Sequence, residues 1–191
     1  MSISTPLLRT AVVRRSTAMS NTLFIFGGAI FLSVLAQISI PVPGSPVPVT
    51  GQTFGVLLLA TSYGVTLSIS TIGLYLLAGI AGAPIFANAG HGLDRLLGPT
   101  GGYLIGMLLA SLILGALAGR KWDQKIASGI TTMLIGDVVI FAIGLSWLHF
   151  YTGKDWAWTF NAGLSPFILG ELLKIAIAGT SMPLLWRAVQ R

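Results

Sequence analysis

Three ionisable residues lie inside long apolar runs of this 191-residue sequence: Asp137, Glu171 and Lys174. A charged side chain at the centre of a membrane helix costs about 2.5–3.5 kcal/mol on insertion scales, so such residues usually serve a function. Glu171 and Lys174 are three residues apart, and on a helix they share one face and can neutralise each other. Together they can offer a hydrogen-bond acceptor and a donor to a polar ligand. The alternative is a self-satisfied ion pair that only supports helix packing, and Asp137 is either a structural partner or a further site residue.

The composition indicates that these residues are held in a membrane protein. Hydrophobic residues make up 54% of the chain and charged residues 8%, whereas soluble domains carry about 25% charged residues. At about 20 residues per spanning helix, the chain has room for about five to seven spans. The net charge of +6 comes from basic residues near helix ends, which favours membrane orientation over nucleic-acid binding.

The apolar runs predict an all-α integral membrane protein with six transmembrane helices. Four prolines within residues 41–49 end the first helix, because proline lacks an amide donor and disfavours helix before it. The uncharged stretch from Phe54 to Ala81 is too long for one upright helix, and Ser62–Tyr63–Gly64 is its natural break. The predicted helices lie near residues 22–40, 52–62, 65–81, 99–119, 126–148 and 165–187.

The basic residues predict the orientation of this bundle. With six helices, one side carries both termini and eight basic residues, against Arg95 and Lys154 on the other. Because basic connections stay cytoplasmic, we expect an N-in, C-in topology. Residues 1–21 would be a cytoplasmic segment, 22–187 the membrane domain and 188–191 a cytoplasmic tail. The eight basic residues are Arg9, Arg14, Arg15, Arg120, Lys121, Lys125, Arg187 and Arg191.

Several further features have both a functional and a structural interpretation. The loop that contains Asn88, His91, Asp94 and Arg95 is either a lid over a pocket or an ordinary outer loop. The segment 98–102 offers backbone N–H groups at a helix start, which suit a carboxylate, but a plain helix start explains it equally well. Trp147 belongs either to an interfacial aromatic belt or to a pocket wall. A face of small residues on the first helix permits close helix approach, within the chain or to another membrane protein: Ala29, Ser33 and Ala36.

Metal and nucleophile chemistry have little support. The absence of cysteine excludes disulfides, thiolate metal sites and cysteine nucleophiles. His91 and His149 do not have metal-ligand spacing, so we expect no metal site. An intramembrane hydrolase or acyltransferase would have only the three buried ionisable residues for its chemistry.

Four motifs follow one another along the chain: IPVPGSPVPVTGQTFGVLL, YLLAGIAGAPIFANAGHG, LLGPTGGYLIG and LGELLK. In this order they resemble the BioY family, the biotin-binding S components of energy-coupling-factor (ECF) transporters, over residues 25–187. The resemblance implies a binding subunit in the bacterial inner membrane that captures biotin near the outer face. Its partners would be a transmembrane coupling protein (the T component) and a pair of cytoplasmic ATPases. The chain itself would then be neither an enzyme nor the holder of a cofactor, because the partner subunits hydrolyse ATP.

The resemblance also assigns roles to residues. Glu171 and Lys174 are expected to contact biotin, the carboxylate accepting from the ureido N–H groups and the lysine donating to the ureido carbonyl or to the tail. Asn88 or His91 would reach the ligand from the loop, and the small-residue face of the first helix would be the coupling surface. An S component for another small vitamin is the alternative. Further pocket residues by motif are Gln52, Thr53 and Tyr103.

Overall fold

The computed structural model describes residues 17–189 as a bundle of helices with one short two-stranded sheet. The bundle consists of α1 (Ala18–Gln37), α2 (Gln52–Ile80), α4 (Gly101–Gly119), α5 (Ile126–Thr152) and α7 (Ile168–Val189). Two short helices lie in the connections, α3 (Leu93–Leu97) and α6 (Trp156–Gly163). Single turns of 3-10 helix cover Ala87–Ala89 and Trp122–Gln124. Within residues 17–189, five helices are long and apolar enough to cross a membrane.

The short sheet closes the proline-rich segment and is a departure from the all-α prediction. β1 (Ser39–Ile40) and β2 (Val49–Thr50) are antiparallel, with Ser39 opposite Thr50. The four prolines between them cannot continue α1, so the chain leaves the helix, makes a loop and returns beside its own exit point. The loop therefore brings β2 and the start of α2 back to the end of α1.

α1 begins at Ala18 rather than near residue 22. Thr17 caps it, because its side chain accepts a hydrogen bond from the Ser20 amide while the Ser20 side chain accepts from the Thr17 amide. This reciprocal arrangement satisfies two amides that the helix itself cannot pair. The basic residues on which the predicted N-terminal orientation depends lie outside the described residues: Arg9, Arg14 and Arg15.

α2 bends back on itself at Gly64, at the predicted break. Gly64 has φ 75° and ψ 179°, a backbone conformation that is essentially confined to glycine. The Gln52 Nε2 lies 2.7 Å from the Tyr75 Oη although the residues are 23 positions apart, a separation of about 35 Å in a straight helix. Residues 52–63 and 65–80 are therefore two arms that run back alongside each other.

The remaining long helices pack around this hairpin. α4 lies between α2 and α5, and α7 packs against both α5 and α2. Close approach depends on glycines: a Cβ at Gly115 would lie 2.5 Å from the Val65 nitrogen beside the bend, and one at Gly106 would lie 2.9 Å from the Ile140 carbonyl oxygen of α5. Helix approach over small residues is typical of membrane bundles.

The small side chains of α1 face the protein interior. Ala29 and Ala36 are buried, and Ser33 is half-buried with its hydroxyl donating to the Ala29 carbonyl oxygen. α1 packs on α2, so the close approach that these residues permit is used within the chain. The coupling surface predicted at Ala29, Ser33 and Ala36 stays a prediction, because contact with α2 accounts for the same small residues. The exposed side of α1 carries large apolar side chains, including Leu23, Phe26, Ile30 and Val34.

A buried carboxyl group fastens the turn between α4 and α5 to the last helix. Asp123 is fully buried and accepts a hydrogen bond from the indole nitrogen of Trp186. Burial raises the pKa of Asp123 above its usual range, and the hydrogen bond from Trp186 only partly opposes this. The Asp123 Oδ1 has no hydrogen-bond partner among the described residues.

Candidate functional site

A buried ion pair joins α7 to the connection between β2 and α2. The Lys174 Nζ lies 2.7 Å from the Glu171 Oε1 and also donates to the Thr50 carbonyl oxygen at 2.6 Å and the Thr53 Oγ1 at 3.0 Å. Thr53 in turn donates to the two carboxylate oxygens of Glu171, at 2.8 and 3.0 Å. Glu171 is 4% exposed. The three acceptors around Lys174 match the three protons of its ammonium group, so the lysine is fully bonded within the protein.

Asp137 of α5 faces the same carboxylate. Its side chain is buried, and its carboxyl group lies close enough to that of Glu171 for the two to interact electrostatically. The Asp137 Oδ1 has no partner among the described residues. The structure thus brings together the three ionisable residues that stand out in the apolar runs of the sequence. Lys174 forms the one ion pair that the described part of the chain contains.

Aromatic rings form one wall of a cavity next to this cluster. Phe141 of α5 stands edge-to-face with Tyr103 of α4 and with Phe167, with ring centroids 5.6 Å apart in each pair. The Tyr103 hydroxyl donates to the Gly163 carbonyl oxygen at 2.9 Å. The ring can therefore face an apolar space, because its polar group is already satisfied. All three rings line the cavity.

The opposite wall comes from the proline-rich segment and from the loop after α2. Val47, Pro48 and Phe86 line it. The Phe86 ring lies edge-to-face with Tyr75 at 5.4 Å and directly over Gly79, where any Cβ would collide with the ring. The second arm of α2 therefore positions Phe86 in this wall.

The cavity has the character of a small-molecule site. Its walls are mainly apolar and carry a few polar groups, which is the usual lining of ligand pockets. Its buried end carries Thr53 and Glu171, and its exposed end carries Arg95 and Thr100.

Four of the residues expected in the pocket line this cavity, namely Gln52, Thr53, Tyr103 and Glu171. Lys174 is not among the lining residues, and it holds Glu171 from behind. Its bonds to Thr53 and Glu171 fix the position of the carboxylate in this structure.

The loop residues Asn88 and His91 do not line the cavity. Asn88 is exposed, and its neighbour Ala87 faces the cavity instead. Gln37 fastens this loop, because its side chain accepts from the Ala89 amide at 3.0 Å and donates to the carbonyl oxygens of residues 85 and 86. His91 is exposed in a separate polar depression.

Trp147 supports the start of α4 from outside the cavity. Its indole nitrogen donates to the Gly98 carbonyl oxygen at 2.9 Å. A Cβ on Gly102 would collide with Trp147, and one on Gly101 would collide with the Leu96 carbonyl oxygen. The glycines of this segment are therefore explained by close packing, and the interpretation as a carboxylate cradle has no support from them.

Sequence reasoning assigned Tyr103 to the pocket but not the other two rings of the aromatic wall, and it named Arg95 only as part of a possible lid. In a chain that is 54% hydrophobic, an aromatic residue that faces a cavity has no signal that separates it from one that faces lipid. Arg95 did have a signal, since it is one of two basic residues on the predicted outer side.

The chain is similar to proteins described as biotin transporters. The BioY family model matches residues 9–191. The biotin transporter BioY2 of Lactococcus lactis subsp. cremoris (strain MG1363) is 34% identical over 163 residues, which cover 84% of this chain and 86% of the relative. The biotin transporter BioY of Thermotoga maritima is 38% identical over 145 residues, which cover 75% of this chain and 82% of the relative.

The fold is also found in a solved structure described as the S-component for biotin from an ECF-type ABC transporter. The two structures agree with a TM-score of 0.81 over 91% of this chain and 95% of that chain, at 22% sequence identity. At this identity the likeness concerns the arrangement of the helices. A mostly helical, S-component-like fold is therefore confirmed.

Proposed function

The chain belongs to the BioY family, and from that premise we propose that it is the biotin-binding subunit of a vitamin uptake transporter. Its five long apolar helices and its family make it a multi-pass membrane protein. The observation that carries the proposal is the Thr53–Glu171–Lys174 cluster at the buried end of an apolar cavity. Such a cluster can bind a polar group of a ligand.

The cavity matches the chemistry of biotin from end to end. Biotin has a ureido group with two N–H donors and a carbonyl, an apolar bicyclic ring and a carboxylate tail. Thr53 and Lys174 hold the Glu171 carboxylate so that its free acceptor positions face the ureido N–H groups. The aromatic wall covers the bicyclic ring, and Arg95 at the exposed end pairs with the tail carboxylate. Asp137 stands behind Glu171 as a further candidate of the site.

We further propose six membrane crossings with both termini on the cytoplasmic side of the bacterial inner membrane. The two arms of α2 supply the sixth crossing, because they run back alongside each other at Gly64. Arg120, Lys121 and Lys125 lie between α4 and α5, on the side opposite to Arg95. Basic connections of this kind favour the cytoplasm.

Transport also needs an energy source outside this chain. The sequence has no G-x-x-x-x-G-K-[ST] phosphate-binding motif. A T component and a cytoplasmic ATPase pair are the partners that the S-component fold implies, and biotin is the ligand rather than a cofactor. In this proposal the chain captures biotin and the partners supply ATP hydrolysis.

Equilibrium dialysis of the detergent-purified chain against labelled biotin tests the ligand. We expect saturable binding that unlabelled biotin displaces and that thiamine and riboflavin do not displace. Displacement by another vitamin at lower concentration than biotin would instead assign the chain to that vitamin. Mass spectrometry of the small molecule that copurifies gives an independent answer.

A further inference from the structure

A second, polar depression adjoins the exposed end of the cavity. We call it the outer basin and define it by His91, Asp94, Arg95, Thr100 and Tyr151. Arg95 and Thr100 line the outer basin and the cavity alike. The two spaces are therefore neighbours that share part of their walls, and a ligand that fills the cavity has its exposed end at the border of the outer basin.

The outer basin presents one cation and one anion that do not pair with each other. Asp94 and Arg95 are consecutive, exposed residues of α3, and neither forms an ion pair within residues 17–189. The Arg95 guanidinium lies against the turn at Gly90, where a Cβ would be 2.8 Å from its Nε. The turn therefore has room for the arginine only because residue 90 is glycine.

The opposite charges of Asp94 and Arg95 are complementary to a zwitterionic group at the end of a ligand longer than biotin. Biotin alone has one charged group at its tail, and Arg95 suffices to pair with it. An amide of biotin has no tail carboxylate, so its chain continues past Arg95 into the outer basin. If that chain ends in a free amino acid, its carboxylate faces Arg95 and its ammonium group faces Asp94, which is a complementary arrangement of charges.

We propose that the site extends into the outer basin and binds biotin amides that end in a free amino acid, in addition to biotin. The inference rests on the proposed function, because it takes the ureido ring to lie at Glu171 and the tail to point towards Arg95. It assigns roles to Asp94, which biotin itself does not need, and to Arg95, which both ligands use. The free amino acid distinguishes these ligands from amides with an apolar end.

Competition binding with the full chain in detergent tests the extension. Labelled biotin is displaced by biotin, by lysine carrying biotin on its side-chain nitrogen, or by biotin hexylamide, which has a similar length and no charge. We expect the lysine conjugate to bind within about tenfold of biotin and at least about tenfold more tightly than the hexylamide. Asp94→Asn should remove this preference and leave biotin affinity unchanged, whereas Arg95→Gln should weaken both charged ligands. Lys154→Gln, at an exposed position of the same side, is the control and should change neither.

The outcomes separate the two proposals. Absence of biotin binding would overturn the proposed function and this extension with it. Normal biotin binding with a lysine conjugate no tighter than the hexylamide would overturn the extension alone. So would an Asp94→Asn variant that keeps the preference for the lysine conjugate, or one that weakens biotin equally.

Discussion

Replacing Lys174 by methionine removes the cation that holds Glu171 at the end of the cavity. Methionine keeps most of the apolar stem and deletes the ammonium group, with its bonds to Thr50, Thr53 and Glu171. The Glu171 carboxylate, which is 4% exposed, then has only the Thr53 hydroxyl as a donor and still faces Asp137. The variant therefore leaves a buried carboxylate without its counter-charge.

The size of the effect follows from this loss. Removing one partner of a buried ion pair costs about 3–5 kcal/mol of folding stability. The Lys174 side chain is 17% exposed, so we expect the lower end of that range. For biotin we expect a loss of affinity of at least about tenfold, or about 1.4 kcal/mol, because a hydrogen bond to a charged group is worth about 1.5–3 kcal/mol and the carboxylate is no longer held in position.

A neutral double variant separates stability from binding. In Glu171→Gln combined with Lys174→Met the buried charge is gone, so most of the lost stability should return. Biotin affinity should stay low, because a glutamine amide offers one oxygen where the carboxylate offers two. The five tryptophans of the chain report thermal unfolding in detergent, and equilibrium dialysis reports binding. Lys154→Met, at an exposed lysine, is the matched control.

Two results would refute this reasoning. Unchanged biotin affinity in Lys174→Met would remove the lysine from the site altogether. Recovery of affinity together with stability in the double variant would mean that the pair supports helix packing alone, which is the structural interpretation of its i, i+3 spacing.

Three other features lead to separate expectations. Gly64→Ala should lower the free energy of unfolding by about 1–3 kcal/mol, because the Gly64 backbone conformation is strained for alanine. Gly27→Ala is the control and should not lower it, because nothing lies within 4 Å of the new Cβ. Equal melting temperatures of the two variants would contradict this expectation. Burial raises the pKa of Asp123, so the folded state favours the protonated carboxyl group. The protonated group is therefore compatible with folding at low pH, and stability is lost as the pH rises through the folded-state pKa and the group ionises. Asp123→Asn should therefore flatten the fall of the melting temperature as the pH rises above the ordinary carboxyl pKa of 3.8, and an unchanged slope would count against it. Since the chain has no cysteine, Lys125→Cys and Lys154→Cys can test the topology with an impermeant maleimide on intact cells, which should label position 154 and not position 125.

The features that could be predicted from the sequence are those that are energetically unfavourable in a membrane helix: charged residues, and an apolar stretch too long for one crossing. Glu171 and Lys174 stood out because an unpaired charge is expensive in lipid, and their spacing already implied contact. The bend at Gly64 stood out because an uncharged stretch longer than one span needs a break, and glycine permits it. In both cases few structures can avoid the unfavourable energy, so the sequence indicates which one forms.

The apolar parts of the site carry no such penalty. Met107 is buried and lines the cavity, and Leu109, two positions later on the same helix, is 41% exposed, yet the sequence around both is apolar. The small residues of α1 posed a related problem: Ala29 and Ala36 indicate that something approaches closely, but not whether it is α2 or another protein. In both cases the missing information is the rotation of a helix about its axis, which a nearly uniform apolar sequence specifies weakly.

The polar cluster makes ligand binding and helix contact compete for the same atoms. Lys174 links α7 to Thr50, 124 residues earlier in the chain, and each of its three protons already has an acceptor in the protein. A ligand carbonyl can therefore take a bond from Lys174 only in exchange for one to Thr50, Thr53 or Glu171. The free acceptor positions of Glu171 need no such exchange. Ureido N–H groups that bind Glu171 leave the contact between α7 and α2 intact, whereas a ligand that recruits Lys174 must loosen it.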